Sequence, residues 1–260
     1  MKLSQNIDSK LRSVCNELLE YLNKVKVVSR LELLVKARES LENQGGLTDE
    51  EDKFIVEKYD LRPDQLLVIS IIGDTPYMMG CPFLHEETIF KNKLFYHSHT
   101  FSPSEADYGS AIERLSSIKL SQTAKMINEL FSKAGYRKTK NDPKNRLTTY
   151  LKGDGKEFLS ILIESITNAP QLFDSIPEGT ILVVPTEDSP GPFISFYRNH
   201  RTEVAERRFS IIVVNVEDLK ISPFLGYPSD KDIVSQFNEP DLVVRIESVW
   251  GEDEDSEQLL

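Results

Sequence analysis

The sequence predicts an α+β (mixed α/β) fold, in which a central mixed sheet is flanked by helices and preceded by a helical N-terminal region. Three observations predict it. Apolar residues recur every three or four positions near the start of the chain, short β-branched runs appear later, and strand and helix patterns then intermix without strict alternation. With 260 residues, the chain is long enough to bury a sizeable core.

Residues 1–62 are predicted to be helical. A first apolar stripe has helical spacing and consists of Ile7, Leu11, Val14, Leu18, Leu22 and Val25. A second helix begins at Ser29 with the capping pattern "SRLE", and this helix ends at Gly45-Gly46. A third helix begins at Thr48 with the pattern "TDEE". Because nothing in this region is reactive in an obvious way, we expect a packing or partner-binding role for it.

The later elements follow from β-branched runs and turn residues. Strands are predicted at 66–73, 93–99, 179–185, 193–199, 208–216 and 242–250. A helix is predicted from Ser102-Pro103 to about Leu115, and further helices are predicted at 121–168, with Gly135 as a cap. These elements divide the chain into a helical region at 1–62, a main domain at 63–250 with a helical insertion around 118–176, and an acidic tail at 251–260.

Composition excludes some classes of protein. The 39% apolar and 28% charged residues are ordinary for a globular protein, and no apolar run approaches the roughly 20 residues that cross a bilayer. The amphipathic start resembles no leader peptide, and two cysteines do not make a disulfide framework, so a reducing cytoplasm is the expected location. A net charge of −11 argues against a nucleic-acid partner.

Positive charge is concentrated in two segments. Residues 133–156 carry eight Lys or Arg against two Asp, and Arg198, Arg201, Arg207 and Arg208 surround His200. One interpretation is an anion-binding module that takes phosphate or a nucleotide and weakens with salt. The other is that both segments are solvated surface.

The stretch "HSHTFSPSEAD" (97–107) is the strongest chemical signal. On a strand, residues two apart point the same way, so His97 and His99 are expected to project side by side. Asp107 follows at the start of the next helix. Two imidazoles and one carboxylate leave a fourth position open on zinc, as catalytic zinc sites do.

This stretch resembles the signature of the JAMM metalloproteases, also called the JAB or MPN+ family, in which His-x-His is followed by Ser-x-x-Asp. The resemblance implies that His97, His99 and Asp107 bind zinc and that Ser104 supports the oxyanion. It also implies a glutamate as general base, for which Glu51, Glu86 and Glu87 are the candidates. The expected function is a zinc-dependent peptidase or isopeptidase that acts on a polypeptide or a ubiquitin-like conjugate.

Two alternatives remain open. Cys81 and His85, together with the histidine pair, are the residue types of a closed structural zinc site. Alternatively, "SPSE" is a helix start capped by Ser102, with Ser104 and Asp107 as ordinary first-turn residues. If the metal is absent or purely structural, the chain is expected to be a non-catalytic MPN-like interaction scaffold.

Overall fold

The structure is a computed structural model that describes residues 2–72, 85–91, 93–142, 147–187, 189 and 191–224. It has two compact units, Met1–Ile118 and Lys119–Leu260, which divide inside one long helix and not at residue 62. The predicted α+β fold with N-terminal helices is confirmed. In the described part of the chain, no helix has the length and apolar character needed to cross a membrane.

The first unit combines helices with a small antiparallel sheet. Its helices are α1 (Lys2–Val25), α2 (Arg30–Asn43), α3 (Asp49–Tyr59), α4 (Pro63–Ile72) and the first part of α5 (Glu105–Lys133). Its strands are β1 (Val27–Ser29), β2 (His85–Phe90) and β3 (Lys93–Ser98). They pair in the order β1-β3-β2, so β3 is the central strand.

The starts of α2 and α3 agree with the sequence prediction, and one strand prediction is wrong. Ser29 accepts a hydrogen bond from the backbone of Glu32, and Thr48 forms a capping box with Glu51. The segment predicted as a strand at 66–73 is helix α4 up to Ile72. Most of α4 is buried, and the apolar run of a buried helix has the same appearance as that of a buried strand.

The middle of β3 is buried on both faces. On one face, Tyr96 joins a core with Leu18, Leu34 and Leu67 from the surrounding helices. On the other, Phe95 packs in a smaller cluster of Val27, Tyr108 and Ala111. The larger core also contains Cys15, which is buried.

The second unit is built on a six-stranded mixed sheet. Its strands are β4 (Tyr136–Asp142), β5 (Leu147–Lys152), β6 (Glu157–Leu162), β7 (Ile181–Pro185), β8 (Ser210–Asn215) and β9 (Lys220–Phe224). They lie in sequence order across the sheet, with β6, β7 and β8 parallel and the other neighbours antiparallel. A 3₁₀ helix (Ile166–Ser175) and α6 (Gly191–Glu206) complete the unit with the end of α5.

Two predictions for this unit are wrong. The helices expected at 121–168 are the end of α5 followed by three strands, although Gly135 does follow α5 with a φ of 88°. The strand expected at 193–199 is part of α6, where Phe193, Phe196 and Val204 share the helical face that packs into the core. The predicted strand at 208–216 is confirmed as β8, whereas 242–250 lies outside the described residues.

Candidate functional site

Asp107 and Ser104 bond to each other at the start of α5. The Asp107 carboxylate accepts the Ser104 backbone N–H at 2.8 Å and the Ser104 hydroxyl at 2.6 Å. In return, the Asp107 backbone N–H donates to Ser104 Oγ at 3.3 Å. This reciprocal pattern is a capping box, with Ser104 in the position expected for Ser102. The hydroxyl and backbone of Ser104 hold the pKa of Asp107 below its usual value.

His97 is a buried side chain of β3 with 3% exposure. Its Nδ1 lies 3.0 Å from the Ser98 carbonyl, and its Nε2 lies 3.1 Å from Thr88 Oγ1. Because a carbonyl only accepts, Nδ1 donates to it, and Nε2 shares a hydrogen bond with the Thr88 hydroxyl. Both ring nitrogens are therefore engaged by neighbouring groups of the sheet.

The expected role of His99 required it to continue the strand, but His99 lies after the strand. β3 ends at Ser98, and the chain turns at once, with the Phe101 N–H donating to the Ser98 carbonyl at 2.9 Å. His99 is consequently an exposed turn residue, whereas His97 is buried. The side-by-side projection predicted for two residues of one strand is lost because the second residue lies in the turn.

The predicted ligands do not fit a catalytic zinc site in this geometry. Among the described residues, which include His97, His99 and Asp107, no three His, Cys, Asp or Glu side chains form a group that could hold a metal ion. Asp107 is satisfied by a helix cap and His97 by its strand neighbours. No zinc chemistry is therefore assigned to these residues.

Glu51, one candidate general base, has a structural role. It is buried, completes the capping box of α3, and accepts hydrogen bonds from Lys10 at 2.8 Å and from Asn6. The Lys10 hydrogen bond and the backbone of Thr48 lower the pKa of Glu51. A general base near neutral pH needs a raised pKa, so the shift has the wrong sign for that task.

For the remaining predicted residues, the structure describes only the backbone or does not describe the residue. In the β2–β3 ladder, Glu86 pairs with His97, Glu87 with Tyr96, and His85 with Ser98. The side chains of these three β2 residues lie outside the described part of the structure, and so does Cys81. The closed zinc site and the bases Glu86 and Glu87 remain predictions.

The two basic segments each contribute a cation to one cleft. This cavity of about 820 Å³ lies where β6, β7 and β8 begin, and it is lined by Lys156 and Arg208 together with Glu157, Glu178 and Tyr136. We call it the Arg208 cleft. The lining of this cleft therefore carries both positive and negative charge. Among the remaining residues of the two basic segments, Arg207 donates a hydrogen bond from Nη2 to the Asp174 carboxylate at 2.6 Å.

Sequence reasoning missed a second cavity in this unit. It has a volume of about 480 Å³ and is lined by Leu120, Ala124, Ile127, Asn128, Lys138, Thr148, Tyr150, Ser160, Leu162, Glu164 and Val183. We call it the Tyr150 pocket. Burial raises the pKa of the Tyr150 hydroxyl. The sequence signal for this cavity was the presence of polar Thr148 and Ser160 in segments that also carry apolar residues.

Comparison with known proteins gives one match. Residues 122–239 are similar to a family described as "Domain of unknown function (DUF6834), C-terminal domain". The match covers less than half of the chain and includes both the Arg208 cleft and the Tyr150 pocket, apart from Leu120. No curated protein matches the chain.

Proposed function

We propose that the chain is a non-catalytic interaction scaffold that binds a polypeptide, and that the His97–Asp107 segment stabilises its fold. Support comes from the structural use of four of the predicted reactive groups. Ser104 and Asp107 cap a helix, His97 bonds within its sheet, and Glu51 caps another helix. These contacts leave the peptidase interpretation without an assembled site.

The observation that carries the scaffold proposal is the exposed apolar pair on the β2–β3 hairpin. Ile89 is 73% exposed and Leu94 is 41% exposed, and the two are directly opposite each other in the ladder. The hairpin is nevertheless well anchored, because Phe90 stacks on Tyr108 with the ring centroids 4.7 Å apart. A rigid element that holds apolar side chains in solvent is typical of a surface that binds a partner.

The neighbouring groups indicate the chemistry of that partner. In the described sheet, β2 is an edge strand, so its outer backbone groups can pair with an added strand. Lys91, at the hairpin turn, is exposed. We therefore propose an extended polypeptide segment that places apolar side chains on Ile89 and Leu94 and an acidic residue near Lys91.

Metal analysis separates the scaffold from the peptidase. Purified full-length chain, His99→Ala and Asp107→Ala are loaded with zinc, dialysed and assayed for bound metal and for amide hydrolysis. The scaffold proposal expects the same low zinc content in all three and no zinc-dependent hydrolysis. One equivalent of zinc in the wild type that is lost from both variants supports the peptidase and refutes the proposal.

A matched set of variants tests the hairpin. The double variant Ile89→Ser with Leu94→Ser is compared with Val56→Ser, since Val56 on α3 of the same unit has a similar exposure of 40%. Proteins captured on each form are quantified, and each candidate partner is purified and its affinity measured directly. The proposal expects a purified partner that binds the wild type and Val56→Ser but not the double variant. Equal binding to the double variant refutes it.

A further inference from the structure

In the second unit, one face of the sheet carries polar residues among its apolar ones. The face that packs on α6 and the 3₁₀ helix is apolar, with Ile161, Leu182, Val184 and Ile211 in its core. On the other face, Thr148 and Ser160 form a cross-strand pair, next to Tyr150 on the same strand as Thr148. Period-two alternation predicts apolar residues wherever a strand faces a helix. Polar groups placed there lose solvation, and such departures are expected at functional sites.

The polar groups of this face are held in fixed positions. Tyr150 and Ser160 are 4% and 5% exposed, and the Tyr150 hydroxyl donates to the Asn128 side chain on α5. The Tyr150 ring is fixed by Phe158, stacked at 5.1 Å, and by Phe131, edge-on at 4.7 Å. The Tyr150 pocket therefore has a rigid hydrogen-bonding wall that is formed before any ligand arrives.

The rest of the pocket has the dimensions and lining of a small-molecule site. Its volume of about 480 Å³ lies within the range of about 300–1,000 Å³ that is usual for such sites. Leu120, Ala124 and Ile127 form one apolar wall along α5, and Leu162 and Val183 form another on the sheet. Leu162 is the last residue of β6, so the pocket lies towards the carboxyl ends of two parallel strands, where ligands bind in open sheets.

Charge at the pocket indicates the polar end of the ligand. Lys138 lines the pocket, pairs with Tyr150 in the β4–β5 ladder, and is exposed. Its ammonium group makes no hydrogen bond or ion pair with the described residues. A cation with no partner attracts an anionic group, whereas the nearby carboxylate of Glu164 disfavours a polyanion. A ligand with one negative charge is compatible with both Lys138 and Glu164.

We propose that the Tyr150 pocket binds a small molecule with an apolar body and a single anionic group, which lies next to Lys138. This proposal goes beyond the scaffold function, because it concerns the second unit and involves neither the β2–β3 hairpin nor a polypeptide. Either proposal stands if the other fails.

Two fluorescent probes with the same ring system test it on the full-length chain. 8-Anilinonaphthalene-1-sulfonate carries one negative charge, and N-phenyl-1-naphthylamine is its uncharged counterpart. The variants are Ala124→Phe, which fills the pocket from α5, and Lys138→Ala, which removes the cation. Lys140→Ala is the matched control, because Lys140 is on the same strand, pairs with Thr149 and does not line the pocket.

The proposal expects the wild type to bind both probes. It expects Lys140→Ala to bind each probe with the same affinity as the wild type. Lys138→Ala is expected to weaken the anionic probe about fivefold and to leave the neutral probe unchanged. Ala124→Phe is expected to weaken both about tenfold. No binding to the wild type, or unchanged affinity of both probes for Ala124→Phe and Lys138→Ala, overturns the proposal. Because Lys138 is exposed, its variant tests the charge even if Ala124→Phe fails to fold.

Discussion

Replacing Ser104 decides whether it caps a helix or takes part in catalysis. In Ser104→Ala, the Asp107 backbone N–H loses one of its two acceptors, Ser104 Oγ at 3.3 Å, and keeps the Ser104 carbonyl at 3.1 Å. The Asp107 carboxylate loses the hydroxyl donor at 2.6 Å. Loss of an N-cap side chain costs about 1 kcal/mol of stability. The exposure of Ser104 and the long hydrogen bond favour the lower part of the usual range of about 0.5–2 kcal/mol.

The matched control is Ser102→Ala. Ser102 is also exposed, stands two residues earlier, and was the cap predicted from the sequence. In this structure α5 begins at Glu105, so Ser102 lies too far ahead of the helix to cap it. Its replacement is expected to change stability by less than about 0.5 kcal/mol, as is usual for surface positions.

Urea unfolding of the full-length chain, followed by circular dichroism, measures both variants. Amide hydrogen exchange at the first turn of α5 gives a local measurement, which is needed because a chain with two units need not unfold in one step. We expect faster exchange there only in Ser104→Ala. Equal destabilisation by both replacements would falsify the cap assignment. Normal stability of Ser104→Ala combined with loss of a zinc-dependent activity would contradict it too.

Two further predictions concern buried carboxylates of the first unit. Arg114→Ala is expected to lower the free energy of unfolding in urea by about 3 kcal/mol. The reason is that Arg114 Nε donates at 2.7 Å to Glu32, whose side chain is 1% exposed. A loss below about 1 kcal/mol would contradict this, since it is the value of a solvated pair. Glu51→Gln is expected to reduce the loss of stability on acidification. Because the pKa of Glu51 is lowered in the folded chain, its contribution is present above the ordinary glutamate pKa of about 4.3 and disappears as pH falls through the lowered value. Identical stability profiles of variant and wild type between about pH 6 and pH 3 would contradict this.

The sequence predicted local features well, because they depend on neighbouring residues. Ser29 and Thr48 mark helix starts through hydrogen bonds that span three residues. β3 was predicted at 93–99 from apolar residues that are adjacent in the chain, one residue longer than the strand at 93–98. These features need no knowledge of distant contacts, and the structure contains them where the sequence placed them.

Elements whose environment depends on distant residues were predicted poorly. α4 was taken for a strand because a buried element shows no amphipathic period, and only its surroundings determine its type. β4 and β5 were taken for helices because they carry many polar and charged residues. Their strand conformation comes from pairing across the sheet, which no local pattern reveals.

The segment at 97–107 shows why the same residues supported two opposite interpretations. Ser-x-x-Asp has the spacing of a metalloprotease motif and also that of a helix capping box, since both place a hydroxyl and a carboxylate one turn apart. What separates them is the position of the histidines, and this depends on long-range contacts. His97 bonds to Thr88 on the neighbouring strand, whereas β3 ends before His99. A capping box needs nothing from either histidine, so the hydrogen bonds of Asp107 at the start of α5 are explained without a metal.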